Sequence, residues 1–176
     1  MSNLLVISAL GHDRPGLVND LSKGILETGC NILDSRMTVL GGEFAVMLLV
    51  DGNWNTVAKL ESMVPEIGKK LGLSVLSRRT DKRSSAGNVL PYAVEAVSVD
   101  HPGIVNQIAG FFSGRNINIE DLRTDCYPAP HTGTPMFTVN MIVGVPADTH
   151  IGSLREQFMH FCDEYNLDAV IEPIKG

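Results

Sequence analysis

Apolar positions along the chain switch between two periods, and the whole succession occurs twice. Residues 3–10 are almost continuously apolar and β-prone, which predicts a strand. An Asp-x-Pro-Gly turn then opens a helix whose buried face is predicted to hold Leu17, Val18, Leu21, Ile25 and Leu26. Two strands over 32–40 and 43–50 flank Gly41-Gly42, a hairpin signal. A second helix aligns Val57, Leu60, Val64, Ile67 and Leu71, and 73–79 closes the unit as a strand. Later in the chain Ile151, Leu154, Phe158, Phe161 and Tyr165 repeat that helical spacing, before a last strand over 167–174. With right-handed crossovers, the order βαββαβ predicts an α+β fold, the ferredoxin-like plait. This is a four-stranded antiparallel sheet with two helices on one face.

The repetition extends to individual residues. Asp13-Arg14-Pro15-Gly16-Leu17-Val18-Asn19 recurs as Asp100-His101-Pro102-Gly103-Ile104-Val105-Asn106, an offset of 87 that also pairs Asn31-Ile32 with Asn118-Ile119. The offset grows to 93 past the Pro- and Gly-rich stretch 127–135, and to 94 by the following helix. Small insertions in loops on a constant offset are the mark of a duplicated domain. Two tandem domains follow, 1–80 and 89–176, joined by a polar linker over 81–88. A half-covered sheet of this size is marginal alone, so pairing of units or of chains is expected.

Composition narrows the function. The chain has 176 residues with 14 basic and 20 acidic side chains, net −6, which disfavours direct nucleic-acid binding. The charge is uneven: residues 1–80 carry 8 basic and 8 acidic groups, while 89–176 carry 4 and 11. No apolar run is long enough for a membrane span, and Met1-Ser2-Asn3 leads into Leu4 without a basic leader. Three widely spaced cysteines, Cys30, Cys126 and Cys162, suit a reducing compartment. A cytoplasmic protein is the expectation.

The chemistry-bearing feature is the doubled turn. Proline pre-sets φ for a first helical turn, an aspartate just before it can cap the helix, and glycine admits a sharp turn or a close ligand. Free amides at such a start suit an anion such as a carboxylate. Asn31 and Asn118 each follow about 15 residues later, at the start of the next strand. They serve either as polar ligand contacts or as turn residues tolerant of the left-handed region. His12 and Arg14 make the first turn the more polar, so the first is favoured as a binding site. The stretch 127–135 replaces a tight hairpin with a longer excursion and is a candidate partner contact or dimer pin. Cys30 and Cys126 read as small residues in ordinary positions, and His160 and Cys162 as helix residues on different sides.

Catalytic and metal chemistry find little support. The third strands carry one Phe each and lack the basic-Gly-aromatic signature of an RNA-recognition motif. Neither turn contains cysteine, so the Cys-x-x-Cys of heavy-metal domains is absent, and there is no G-x-S-x-G elbow or phosphate-binding loop. No enzyme, metal or cofactor is predicted.

The turn, helix and Asn-Ile pattern resembles the ACT domain, a small regulatory module that binds amino acids, in two copies over nearly the whole chain. The tandem arrangement, with D-R-P-G-L-V and D-H-P-G-I-V turns and no catalytic domain, is similar to the glycine cleavage system transcriptional repressor family. That resemblance implies a glycine-sensing regulator that contacts a DNA-binding activator protein and does not read DNA itself. An allosteric sensor subunit of a metabolic enzyme, or a ligand-free interaction plait, are the alternatives. The resemblance implies ligand binding where one unit's turn faces the second strand of a neighbouring unit, and a homo-oligomer is expected. The implied ligand residues are Asp13, Arg14, Gly16, Leu17, Asn31 and Ile32 in the first unit. In the second they are Asp100, His101, Gly103, Ile104, Asn118 and Ile119.

Overall fold

The computed structural model describes residues 3–82 and 88–174. The first unit runs β1 (Asn3–His12), α1 (Leu17–Leu26), β2 (Asn31–Leu40), β3 (Glu43–Gly52), α2 (Trp54–Leu71) and β4 (Ser74–Thr80). The second runs β5 (Val89–Val99), α3 (Ile104–Ser113), β6 (Asn118–Pro128), β7 (Pro135–Pro146), α4 (Ile151–Tyr165) and β8 (Asp168–Pro173). The linker predicted over 81–88 falls mainly on 83–87, outside the described residues. By internal contacts the chain divides into two units between positions 84 and 85.

Each unit is the expected plait. The sheets are antiparallel, ordered β2-β3-β1-β4 and β6-β7-β5-β8. Alternate residues of the central strands supply the core: Leu5, Ile7 and Ala9 from β1, Phe44, Val46 and Leu48 from β3. They pack on Leu17, Leu21 and Ile25 of α1 and Val57, Leu60 and Val64 of α2. The second core is richer in rings, with Phe111 edge-on to Phe112 at 5.2 Å and Phe158 at 5.4 Å from Phe112.

Two expectations about packing change. Val18 and Leu26, expected in the buried face of α1, are 52% and 72% exposed. The stripe Leu17, Leu21, Ile25 already fills the contact with the sheet, and the next residue of each turn is rotated about 100° away from it. The hairpin of the second unit is also tighter than its sequence suggests. β6 and β7 keep pairing as far as Pro128 and Pro135, leaving a loop of 129–134. Ala129 N–H donates to the Thr134 carbonyl at 2.8 Å and closes it.

Candidate functional site

The two turns share one backbone design. The Asp13 N–H donates to the Gly42 carbonyl at 2.9 Å, tying the turn to the β2–β3 hairpin, and Asp100 N–H does the same with Pro135 at 2.9 Å. Gly16 and Gly103 then adopt φ of 90° and 101°, where a Cβ is penalised. A Cβ on Gly16 would meet only Arg14 Nη1, at 3.9 Å, and one on Gly103 only Gln107 Nε2, at 3.8 Å. Backbone conformation, and not crowding, therefore calls for glycine.

These glycines are themselves the N-caps, and no side chain caps α1 or α3. The expected capping by Asp13 and Asp100, with proline in the first helical turn, is thus corrected. The left-handed glycine itself takes the cap position, between Pro15 and Leu17 and between Pro102 and Ile104. By contrast, Asn53 Oδ1 accepts from the Thr56 N–H at 2.9 Å on α2, and His150 Nδ1 from the Ser153 N–H at 3.2 Å on α4. The first-turn amides of α1 and α3 are left as donors of the kind that take an anion.

Over the turns the side chains differ. In the first unit Arg14 folds back, donating from Nη1 to the Pro15 carbonyl at 3.2 Å and from Nη2 to Asp20 Oδ2 at 3.2 Å. In the second, His101 replaces the arginine and Gln107 the aspartate. The His101 Nδ1 lies 3.1 Å from its neighbour's Pro102 carbonyl, and Gln107 Oε1 is buried without a hydrogen-bond partner. A concavity of about 550 Å³ opens here, lined by His101, Gly103, Ile104, Asn106, Ala109 and Phe137 among others. Cys126, on β6 beside it, donates its thiol to Asp100 Oδ2 at 3.6 Å. Desolvation, and then the charge and hydrogen bond of Asp100, push that thiol up. Sequence reading missed this contact, because it depends on how β6 lies against the turn.

The asparagines are elsewhere. Asn31 pairs with Asp51, which pairs with Leu4 at the start of β1, whereas the turn follows His12 at its end. Eight residues of strand separate the two levels, roughly 26 Å. Asn118 stands likewise opposite Gly144, which pairs with Pro91, while Asp100 follows Val99. Within one unit the fold therefore joins Asp13, Arg14, Gly16 and Leu17, and separately Asn31 and Ile32, but not the two sets. Asn31 and Ile32 line their own groove of about 400 Å³ with Asn19, Ser22, Lys23 and Leu26 among its other residues. The left-handed residues before these strands are Gly29 and Asn116, at φ of 83° and 56°, so turn chemistry does not explain Asn31 or Asn118. Among the described residues no cluster of His, Cys, Asp or Glu could hold a metal ion, and no helix is long and apolar enough to cross a membrane.

A family profile for the ACT domain matches residues 3–76. The chain is 31% identical to the glycine cleavage system transcriptional repressor of Escherichia coli K12 over 170 residues, 97% of this chain and 90% of that one. It belongs to that repressor family. A crystal structure provisionally named as a glycine cleavage system transcriptional repressor superposes on this family member with a TM-score of 0.77 at 26% identity, covering 100% and 99% of the two chains. A protein of unknown function from Galdieria sulphuraria gives a TM-score of 0.81 at 27% identity, covering 99% and 100%. A UPF0237 protein of Methanocaldococcus jannaschii is 35% identical over 79 residues, 44% of this chain and 88% of its own. As a member of the repressor family the chain is a tandem ACT-domain regulatory protein, and not an enzyme.

Proposed function

We propose that this repressor-family chain senses a small amino acid, glycine first among them, and regulates glycine cleavage by contacting a DNA-binding activator protein in the cytoplasm. The family match across 97% of the chain, spanning both units, carries the reading. A net charge of −6 supports a protein partner over a phosphate backbone. The ligand carboxylate is assigned to the uncapped amides that follow Gly103 or Gly16. The second turn is now favoured over the first, because Arg14 is already engaged by Asp20 while the second turn adjoins the larger concavity. Asp100, His101 and Ile104 would border the ligand there. Asn31 with Ile32, or Asn118 with Ile119, would complete the site from a neighbouring unit, since neither pair reaches its own turn.

The test is calorimetry with glycine and then serine, on the parent chain and on Gly103→Leu and Gly16→Leu variants checked for folding. A ligand at a hundred times its Kd also adds about 2.7 kcal/mol of stability, which a thermal-shift screen detects. Glycine binding that Gly103→Leu abolishes supports the reading. Absence of binding by all twenty amino acids overturns it, and binding unchanged in both variants removes the turns from the site.

A further inference from the structure

The two units differ on the sheet face that carries no helix. Register places three rungs across that face of the first unit, each running β2, β3, β1, β4. The middle rung is Arg36, Met47, Ser8, Leu76. On one side lies Thr38, Ala45, Leu10, Ser74, and on the other Asp34, Leu49, Val6, Arg78. Leu10, Met47 and Leu76 are 52%, 55% and 76% exposed. The matching rungs of the second unit are Arg123, Asn140, Glu95, Val170; then Asp125, Thr138, Val97, Asp168; then Asp121, Ile142, Ala93, Glu172. The same fold thus accepts a charged face, so the apolar one is not a requirement of the plait. Exposed apolar area of this kind marks a contact surface.

We propose that this face of the first unit packs on the same face of a second copy of the chain. The argument is self-complementarity. A two-fold axis parallel to the strands, passing between β3 and β1, lays each rung on its own reverse: β2 over the second copy's β4, and β3 over its β1. Met47 then meets Ser8 and Leu10 meets Ala45, large on small both times, while Leu76 lies on Arg36, whose methylene stem covers it with the charged head turned to the rim. Asp34 meets Arg78. Arg78 has no ion-pair partner among the described residues, and Asp34 has only Arg36, at 2.5 Å on the same surface. The second copy's arginine would flank that carboxylate from its free side. Applied to the second unit, the operation sets Asp125 on Asp168 and Asp121 on Glu172, like charges that forbid the pairing. The first unit alone is therefore self-complementary. The contact is modest. Four strands about 4.8 Å apart, paired over about seven residues, present roughly 400 Å² per copy, below the size of a stable interface, so a weak dimer that forms as concentration rises is expected.

Sedimentation velocity on the full chain, from about 1 to 100 μM, tests this. The parent chain should dimerise, and Met47→Glu should raise the dimer Kd by roughly thirtyfold or more by burying a charge against its own copy. Val97→Glu, on the corresponding face of the second unit, should leave it unchanged. Asp34→Arg and Arg78→Asp should each weaken the dimer, and the double variant should restore it, a rescue that misfolding cannot mimic. A parent chain monomeric throughout, a dimer indifferent to Met47→Glu, or a double variant no better than the singles each overturns the proposal. Glycine binding is measured separately, so failure here leaves the sensing reading standing.

Discussion

Gly16 and Gly103 hold their turns at φ of 90° and 101°, where a Cβ would make only ordinary van der Waals contact. Alanine at either position meets no clash and still strains the backbone, so each substitution is expected to destabilise its unit by about 1–2 kcal/mol, read by urea titration. Cys162 offers a second residue-level prediction. Burial first, and then the charges of Asp163 and Asp168, push its thiol up to about 11. A group whose pKa is higher folded than unfolded gives stability that is present below the unfolded value and lost as pH rises through the folded one. Stability should therefore fall between about pH 9 and 11, and Cys162→Ala should flatten that fall in alkaline urea titrations. Local motifs were legible at this scale, because Asp-x-Pro-Gly says that the backbone reverses. What it does not say is which residue becomes the cap. That depended on the left-handed glycine, which displaced Asp13 and Asp100 from the role expected of them. The thiol of Cys126 against Asp100 was invisible for a related reason: 26 positions separate the two, and only strand register brings them together.

Elements were the most legible part, because period 2 and period 3.6 are imposed by one-sided burial. The errors have physical causes. An apolar residue beside the buried stripe of α1 looks the same in sequence whether or not the sheet reaches it, and Val18 and Leu26 fall where it does not. Prolines 128 and 135 were expected inside the long loop over 127–135, yet they form the last rung of the β6–β7 hairpin, before the turn. Pro65 lies inside α2, on its exposed side, and withholds an N–H from the ladder. Pro65→Ala is accordingly expected to stabilise the first unit by about 1 kcal/mol or more, since an interior proline costs about 3 kcal/mol relative to alanine before any local adjustment. On α4 the reverse holds for Phe158, which is fully buried among Phe111, Phe112 and Phe161. Phe158→Ala should destabilise the second unit by about 3–5 kcal/mol in the same titration.

For the whole molecule, duplication was readable from sequence because the offset of 87 survives in turn residues that backbone geometry constrains. The candidate site was readable only as parts. Asp13 and Asn31 recur together as Asp100 and Asn118, which suggested one constellation, while the strand register sets each asparagine a full strand away from its turn. Sequence spacing carries no information on which end of a sheet a residue occupies once a helix and a strand intervene. That separation bears on dosage. Under the proposed reading, a small molecule gripped by the turn of one chain and an asparagine of another would have an apparent affinity that is a function of protein concentration. Such a sensor would grow more responsive as its own expression rises, and diluting it would blunt the signal without altering a single contact.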